Sequence, residues 1–225
     1  MVDCSLTDFA KDGALLLKSA LTPCIADLEA GLAGLPTDSA GIRIYGIASL
    51  RPLHASTGLI GGIASSIAGR NTLPVRAILF DKSEQNNWSL AWHQDRTICV
   101  KEKREASDFG PWTIKRGMHH VAPPYELLTK MITLRAHLDD VSVNNAPLLI
   151  SPGSHKFGRI PVSDIDNVVQ RCGTKTCLAE AGDVWLYSTP ILHASEAASP
   201  PTRRRVLQID FSADTLPNGL EWLGV

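Results

Sequence analysis

From residue 73 onward the chain is a succession of short segments with the period-2 alternation of β-strands, set apart by turn residues. Extended segments are expected over 75–80, 88–100, 131–138, 147–150, 176–179, 184–192 and 204–212. Strands this short and numerous leave many edges, and a double-sheet jelly roll is the architecture that disposes of them. Helical patterns stand ahead of them. Ile25, Leu28, Leu32 and Leu35 recur at helical spacing after Thr22-Pro23, with Thr22 expected as N-cap and Pro23 as first helical residue. A short helix is expected before Gly13, with an edge strand after it, then a strand over 42–50 and a second helix over 57–67. The expected fold is mainly β with flanking helices on one side: a double-stranded β-helix (jelly roll, cupin-like).

A chain of 225 residues is expected to form one domain, with an N-terminal helical and edge-strand part (1–72) and a jelly-roll core (73–225). Residues 101–124 are rich in charge and broken by Gly110-Pro111 and Pro123-Pro124, which reads as a long lid loop. The net charge of -1 offers nothing to a nucleic acid. The most apolar stretch, 59–68, is too short and too broken to span a membrane. The opening Met1-Val2-Asp3-Cys4 lacks the basic and apolar parts of a signal peptide, and the five cysteines have no zinc spacing. Cys172 and Cys177 are near enough in sequence to pair, but the expectation is unpaired thiols and a cytoplasmic protein. The expected partner is a small-molecule substrate.

Within 88–100, Trp92-His93-Gln94-Asp95 carries a histidine and a carboxylate at i and i+2. Residues so spaced on a strand point to the same side and can meet one metal ion. They are two thirds of the 2-His-1-carboxylate set that holds non-haem Fe(II) with open positions. Of the seven histidines, the six besides His93 compete for the third place. His193 is set apart by the run Arg203-Arg204-Arg205 downstream of it, at the start of the next strand. A 2-oxoglutarate oxygenase must hold the far carboxylate of its cosubstrate, and a bidentate arginine suits that task. Strand parity places Arg205 with Leu207, Ile209 and Phe211 on an apolar face. Arg204 falls with Val206, Gln208 and Asp210 on a mixed face, fit for a barrel interior.

Three groups of residues together resemble the phytanoyl-CoA dioxygenase family: His93-x-Asp95, Asn145-x-Pro147 with Pro152-Gly153-Ser154-His155, and His193-x-Ser195 with Arg204 after it. The opening Phe9-Ala10-Lys11-Asp12-Gly13 resembles it too. The resemblance implies a double-stranded β-helix oxygenase that uses Fe(II), 2-oxoglutarate and O₂. It implies His93, Asp95 and His193 as iron ligands and catalytic centre, Arg204 on the 5-carboxylate, and Ser195 at the same end. Arg76 and Trp112 stand where relatives contact the cosubstrate, and the segment around His155 is implied to be a structural turn. The chain is short for the family and has no basic cluster for CoA phosphates outside 101–104, so a free small substrate is expected rather than an acyl-CoA.

Hydroxylation of an unactivated C–H bond, with release of succinate and CO₂, is the expected reaction. Desaturation, cyclisation and epimerisation use the same ligands and stay open. Asp95 argues against a halogenase, in which a small residue replaces the carboxylate. A catalytically silent jelly-roll binding protein and a cupin-like zinc protein are the rivals of another class. Substrate contacts are expected from Lys115, His119 and His120 in the loop, and from Thr133, Arg135 and His137 on one strand face.

Overall fold

The computed structural model describes residues 2–36, 41–200 and 202–225, with side chains from Leu6 onward. Helix α1 (Val2–Asp12) ends at Gly13, whose left-handed backbone (φ +75°) turns the chain into β1 (Ala14–Leu17). Packing also demands glycine there, since a Cβ would lie 2.2 Å from the His155 ring. Thr22 does not cap a helix. Leu21 is buried and its N–H donates to the Gly182 carbonyl, so the turn starts one residue earlier, as a 3-10 segment Thr22–Cys24. Helix α2 (Ile25–Leu32) comes next. The strand expected over 42–50 is only β2 (Ile42–Ile44): Gly46 takes φ +77° and Ala48–Leu50 is a 3-10 turn leading into α3 (Arg51–His54). Helix α4 (Leu59–Ala68) closes at left-handed Gly69.

Then come β3 (Leu73–Lys82), β4 (Leu90–His93), β5 (Ile98–Val100), β6 (Trp112–Lys115), β7 (Met118–Val121), α5 (Tyr125–Thr129) and β8 (Ile132–His137). The remaining elements are β9 (Leu148–Ile150), α6 (Ile165–Cys172), β10 (Lys175–Cys177), β11 (Val184–Ser188), β12 (His193–Ser195) and β13 (Arg204–Ser212). Three antiparallel sheets result, in the orders β1-β11-β8-β13-β3-β2, β10-β9-β12-β4 and β5-β7-β6. The expected strand over 88–100 is split between two sheets as β4 and β5, and the one over 184–192 stops at Ser188 as β11, with β12 of the other sheet starting only at His193. The expected loop 101–124 holds the β6–β7 hairpin, turned by Arg116 (φ 50°) and Gly117 (φ 78°), the two left-handed positions of a tight hairpin.

Helices cover one face of the six-stranded sheet. Leu28 and Leu32 of α2 and Ile60 and Ala64 of α4 pack with Ala77, Leu79, Leu134, Ala136, Leu207, Ile209 and Phe211. Each such leucine contributes about 1.5–3 kcal/mol by leaving water. Alternate residues point inward, where Ala14, Trp185 and Tyr187 meet Leu148, Ile150 and Cys177 of the four-stranded sheet. Two facing sheets with helices on one side make the jelly roll, a double-stranded β-helix. Cys24, Cys99, Cys172 and Cys177 are unpaired. Among the described residues no helix is long and apolar enough to cross a membrane.

Candidate active site

Strands β4 and β12 are paired with His93 directly opposite His193. Opposed residues on one face bring their side chains together, and the two ring centroids lie 4.2 Å apart. Asp95 lies just past the end of β4 yet reaches the same point: one ligand atom from each of His93, Asp95 and His193 lies within 4.8 Å of the others. Both rings are oriented by the main chain. His93 Nδ1–H donates to the Ala91 carbonyl at 2.8 Å, and His193 Nδ1–H donates to the Ile191 carbonyl at 2.9 Å. A carbonyl only accepts, so each Nδ1 carries the proton and each Nε2 keeps its lone pair for a metal. Burial, then His93, pushes His193 down to about 4, which keeps its imidazole neutral near pH 7. Burial pushes the Asp95 carboxyl up, but Arg76, His193 and His93 outweigh it and hold it below the usual range. Two imidazoles with their Nε2 lone pairs free and an ionised carboxylate fit Fe(II) in the facial arrangement.

Arg76 on β3, expected at the cosubstrate, lines the cavity of the triad and clamps two carboxylates with its guanidinium. Nη2 donates to Asp95 Oδ2 at 3.1 Å, and Nε donates to Asp210 Oδ2 at 2.5 Å. Thr133 donates to the other Asp210 oxygen at 3.1 Å, which leaves Thr189 as donor to Thr133 at 3.0 Å. Burial pushes Asp210 above the ordinary range, with Arg76 offsetting part of that. Asp95 is thus held by a buried chain that draws on strands distant from it in sequence.

The residue between the two ligands also works. Gln94 points away from His93 and Asp95, as period 2 requires, and is buried. Its Nε2 lies 2.8–3.0 Å from the Pro190 and Gly158 carbonyls and the Tyr125 hydroxyl, and its Oε1 accepts from Ile160 N–H at 2.9 Å. These bonds break the expected long strand at the ligands and tie it to the turn before His193. On that turn's far side, Leu192 N–H donates to Ser154 Oγ at 2.9 Å, and Gly153 N–H donates to the Asp12 carbonyl at 2.8 Å. The 152–155 segment therefore positions His193, while the His155 ring rests on Gly13, away from the triad.

The triad opens on a cavity of about 350 Å³ with apolar walls from Phe80, Trp88, Leu90 and Leu148. At the Ser195 end its charges are cationic. Arg204 is buried, its Nη1 donates to the Ala146 carbonyl, and its Nε has no partner among the described residues. Arg135 donates from Nη1 to Gln208 Oε1 at 2.9 Å, and its Nε is likewise unpartnered. Lys82 donates to the carbonyls of Trp88 (2.6 Å) and Glu196 (2.9 Å) and lies 3.4 Å from Ser195 Oγ. Burial and Arg135 push Arg204 down to about 9, still charged near pH 7. Burial, then Arg204 and Arg135, push Lys82 down to about 7. Buried cations without a carboxylate are costly, and an anion that enters relieves them. Of the three adjacent arginines only Arg204 lines the cavity: Arg203 pairs with Asp81 at 3.1 Å, and Arg205 with Asp139 at 2.6 Å and Glu29 at 2.9 Å.

Among the expected substrate residues, Lys115 and Arg135 line this cavity, whereas His119, His120, Thr133 and His137 do not. His119 and His120 are strand residues of β7, Thr133 is bonded to Asp210, and His137 is buried. Trp112 is not a lining residue either, because β6 packs it with Val100, Val121 and Met131. Sequence reasoning missed Lys82, Arg43, Gln94 and Asp210. For Lys82 a signal existed: Arg76, Ile78, Phe80 and Lys82 alternate on one face of β3, one residue pair beyond the expected strand end.

Comparison with known proteins agrees with this fold. The family model for phytanoyl-CoA dioxygenase (PhyH) matches residues 61–206. No curated protein matches the sequence. Among solved structures, EctD from S. alaskensis in its apoform is 17% identical, covers 98% of this chain and 79% of its own, and superposes with a TM-score of 0.66. AviO1 from Streptomyces viridochromogenes Tue57 is 18% identical over 96% of this chain and 97% of its own, with a TM-score of 0.66. SnoN, a non-haem α-ketoglutarate-dependent epimerase from nogalamycin biosynthesis, is 17% identical over 97% and 90%, with a TM-score of 0.65. The match spans more than half of the chain, and the chain belongs to the phytanoyl-CoA dioxygenase family of iron- and 2-oxoglutarate-dependent oxygenases.

Proposed function

We propose that this enzyme hydroxylates an unactivated C–H bond of a small molecule, coupled to conversion of 2-oxoglutarate and O₂ to succinate and CO₂. The observation that carries the reading is one cavity with the His93, Asp95 and His193 ligand atoms on its wall and the buried Arg204 guanidinium, unpartnered at Nε, beside Ser195. His93 and His193 would hold the metal through Nε2 and Asp95 through a carboxylate oxygen, leaving positions open for the cosubstrate and O₂. Bound iron supplies the oxidising power for the C–H bond, with 2-oxoglutarate as electron source. Arg204 and Ser195 receive the far carboxylate of 2-oxoglutarate, and Lys82 adds its charge at that end. Arg76 keeps Asp95 ionised and aimed. The apolar walls exclude water from the reacting position. Unpaired thiols, most of them buried, suit a reducing compartment, and we place the enzyme in the cytoplasm.

Crystals of EctD hold 2-oxoglutarate and 5-hydroxyectoine, and those of SnoN hold Fe3+, α-ketoglutarate and nogalamycin RO. SnoK, similar in fold at a TM-score of 0.63, is a carbocyclase. The test is a substrate screen read by succinate formation, with mass analysis of the product. A gain of one oxygen atom supports hydroxylation. An unchanged product mass or a loss of two hydrogens replaces it with epimerisation or with cyclisation and desaturation. Absence of a metal-to-ligand absorption band when 2-oxoglutarate meets the anaerobic Fe(II) protein would overturn the whole reading.

A further inference from the structure

The cavity carries more positive charge than iron and 2-oxoglutarate require. Six cationic side chains line it: Arg43, Arg76, Lys82, Lys115, Arg135 and Arg204. Two carboxylates oppose them, Asp95 in the wall and Asp210 behind Arg76. Six against two leaves an excess of four positive charges, or of three when Lys82, pushed down to about 7, is neutral. Fe(II) and the 2-oxoglutarate dianion cancel each other, so loading the site does not reduce that excess.

The cations fall into two groups. Lys82, 3.4 Å from Ser195 Oγ, feels Arg204 and Arg135. Arg43 instead feels Arg76 and Arg116. It sits on β2 opposite Ile78, one pleat along β3 from the Arg76 that clamps Asp95. Lys115, at the end of β6, reaches the same cavity, and with Arg43 and Arg76 it acts on buried His120. An exposed lysine alone is usually a solvated charge. Arg43 is different: it is half-buried, its Nε is buried without a partner, and it forms no ion pair among the described residues. A buried donor left in this state points to a ligand that accepts hydrogen bonds and bears negative charge.

We infer that the substrate is a small organic anion whose carboxylate or phosphate group is received by Arg43 and Lys115, beside the iron triad and apart from the Arg204 end. The inference rests on the oxygenase reading above. It is tested on the anaerobic Fe(II)·2-oxoglutarate protein, after the absorption band has formed. Phenyl phosphate, benzoate and neutral benzamide are then titrated in, monitored by the shift of that band. Binding of the two anions but not of benzamide is expected; the tighter of the two tells a phosphate-bearing substrate from a carboxylate. Arg43→Gln and Lys115→Gln should each weaken anion binding at least about tenfold, as loss of a charge-assisted bond does, and leave 2-oxoglutarate affinity within about threefold. Arg43→Lys should restore part of the loss. Equal binding of benzamide, unchanged anion binding in both glutamine variants, or anions that only displace 2-oxoglutarate and erase the band would each overturn the inference. A wild-type protein that gives no band at all overturns the oxygenase reading, and this one with it.

Discussion

Arg76 links the chemistry of the triad to the interior of the sheet, and its replacement separates two roles that a position near a cosubstrate could have. Arg76→Met leaves Asp95 without its partner and Asp210 buried without a counter-charge. Partners that orient a ligand carboxylate are worth about 10–100-fold in metal affinity, so iron binding should weaken by that much. Once metal is saturating, 2-oxoglutarate affinity should stay within about threefold of wild type, because Arg204 and Ser195 are untouched. Equilibrium dialysis of Fe(II), then titration of the cosubstrate, measures the two separately; a large effect on 2-oxoglutarate alone would make Arg76 a cosubstrate contact. His93→Ala should lose most iron, and His155→Ala should keep it, since the His155 ring packs on Gly13. If His155→Ala lost the metal while His193→Ala kept it, the third ligand would be misassigned. The ligand pair was legible because His93 and Asp95 are close in sequence. The clamp was not, because Arg76 and Asp210 meet only through the pairing of β3 with β13.

At the scale of elements, β13 decides which arginine faces the cavity. Its period-2 alternation was readable, and the structure puts Leu207, Ile209 and Phe211 against the helices and Arg204 in the cavity wall. The mixed face was expected to line the barrel interior despite Asp210, and that carboxylate is buried because Arg76 meets it there. Removing the partner of a buried carboxylate costs about 3–5 kcal/mol. Arg204→Ala should therefore weaken 2-oxoglutarate binding at least about a hundredfold. Arg203→Ala and Arg205→Ala, whose ion pairs lie outside the cavity, should change it less than about tenfold. The absorption titration ranks the three, and the large loss at Arg203 or Arg205 would reject this assignment. The breaks within 88–100 and 184–192 were not readable, since they depend on Gln94 bonding to Gly158, Ile160 and Pro190. The hairpin within 101–124 was hidden because its turn is Arg-Gly, not the Asn-Gly or Asp-Gly that announces such turns. With β6 and β7 paired, proteolysis of this region should fall in the exposed charged run 101–105 rather than across it. We expect Fe(II), 2-oxoglutarate and substrate to protect that run as the site closes. Equal cleavage in every state would count against a lid.

For the molecule as a whole, two histidines outside the triad make folding sensitive to acid. His54, at the end of α3, and His137, at the end of β8, are buried with both ring nitrogens unpartnered among the described residues. Burial pushes His54 down to about 4. Burial, then Arg135 and Arg204, pushes His137 down to about 3, with Asp183 opposing only in part. In the unfolded chain both titrate near 6.5. Between the two values the unfolded state binds protons that the folded state refuses, so stability rises with pH across that window. It is fully present above about pH 6.5 and is lost as pH falls toward about 4, at up to about 1.4 kcal/mol per pH unit for each group. Asp183 is held low despite its burial by the Glu180 N–H, Lys18 and the Ser19 N–H, and it adds a further loss only below its ordinary range. Urea midpoints of the metal-free protein should therefore drop between neutral pH and about pH 4, before most carboxylates titrate. His54→Leu and His137→Leu together should flatten that slope, because a leucine binds no proton in either state. The triad adds a smaller slope of the same sign through His193, and saturating iron, which binds only the neutral ring, should steepen it rather than remove it. A midpoint that stays level over the window, or a slope untouched by the double substitution, would mean that these two rings find partners in solution.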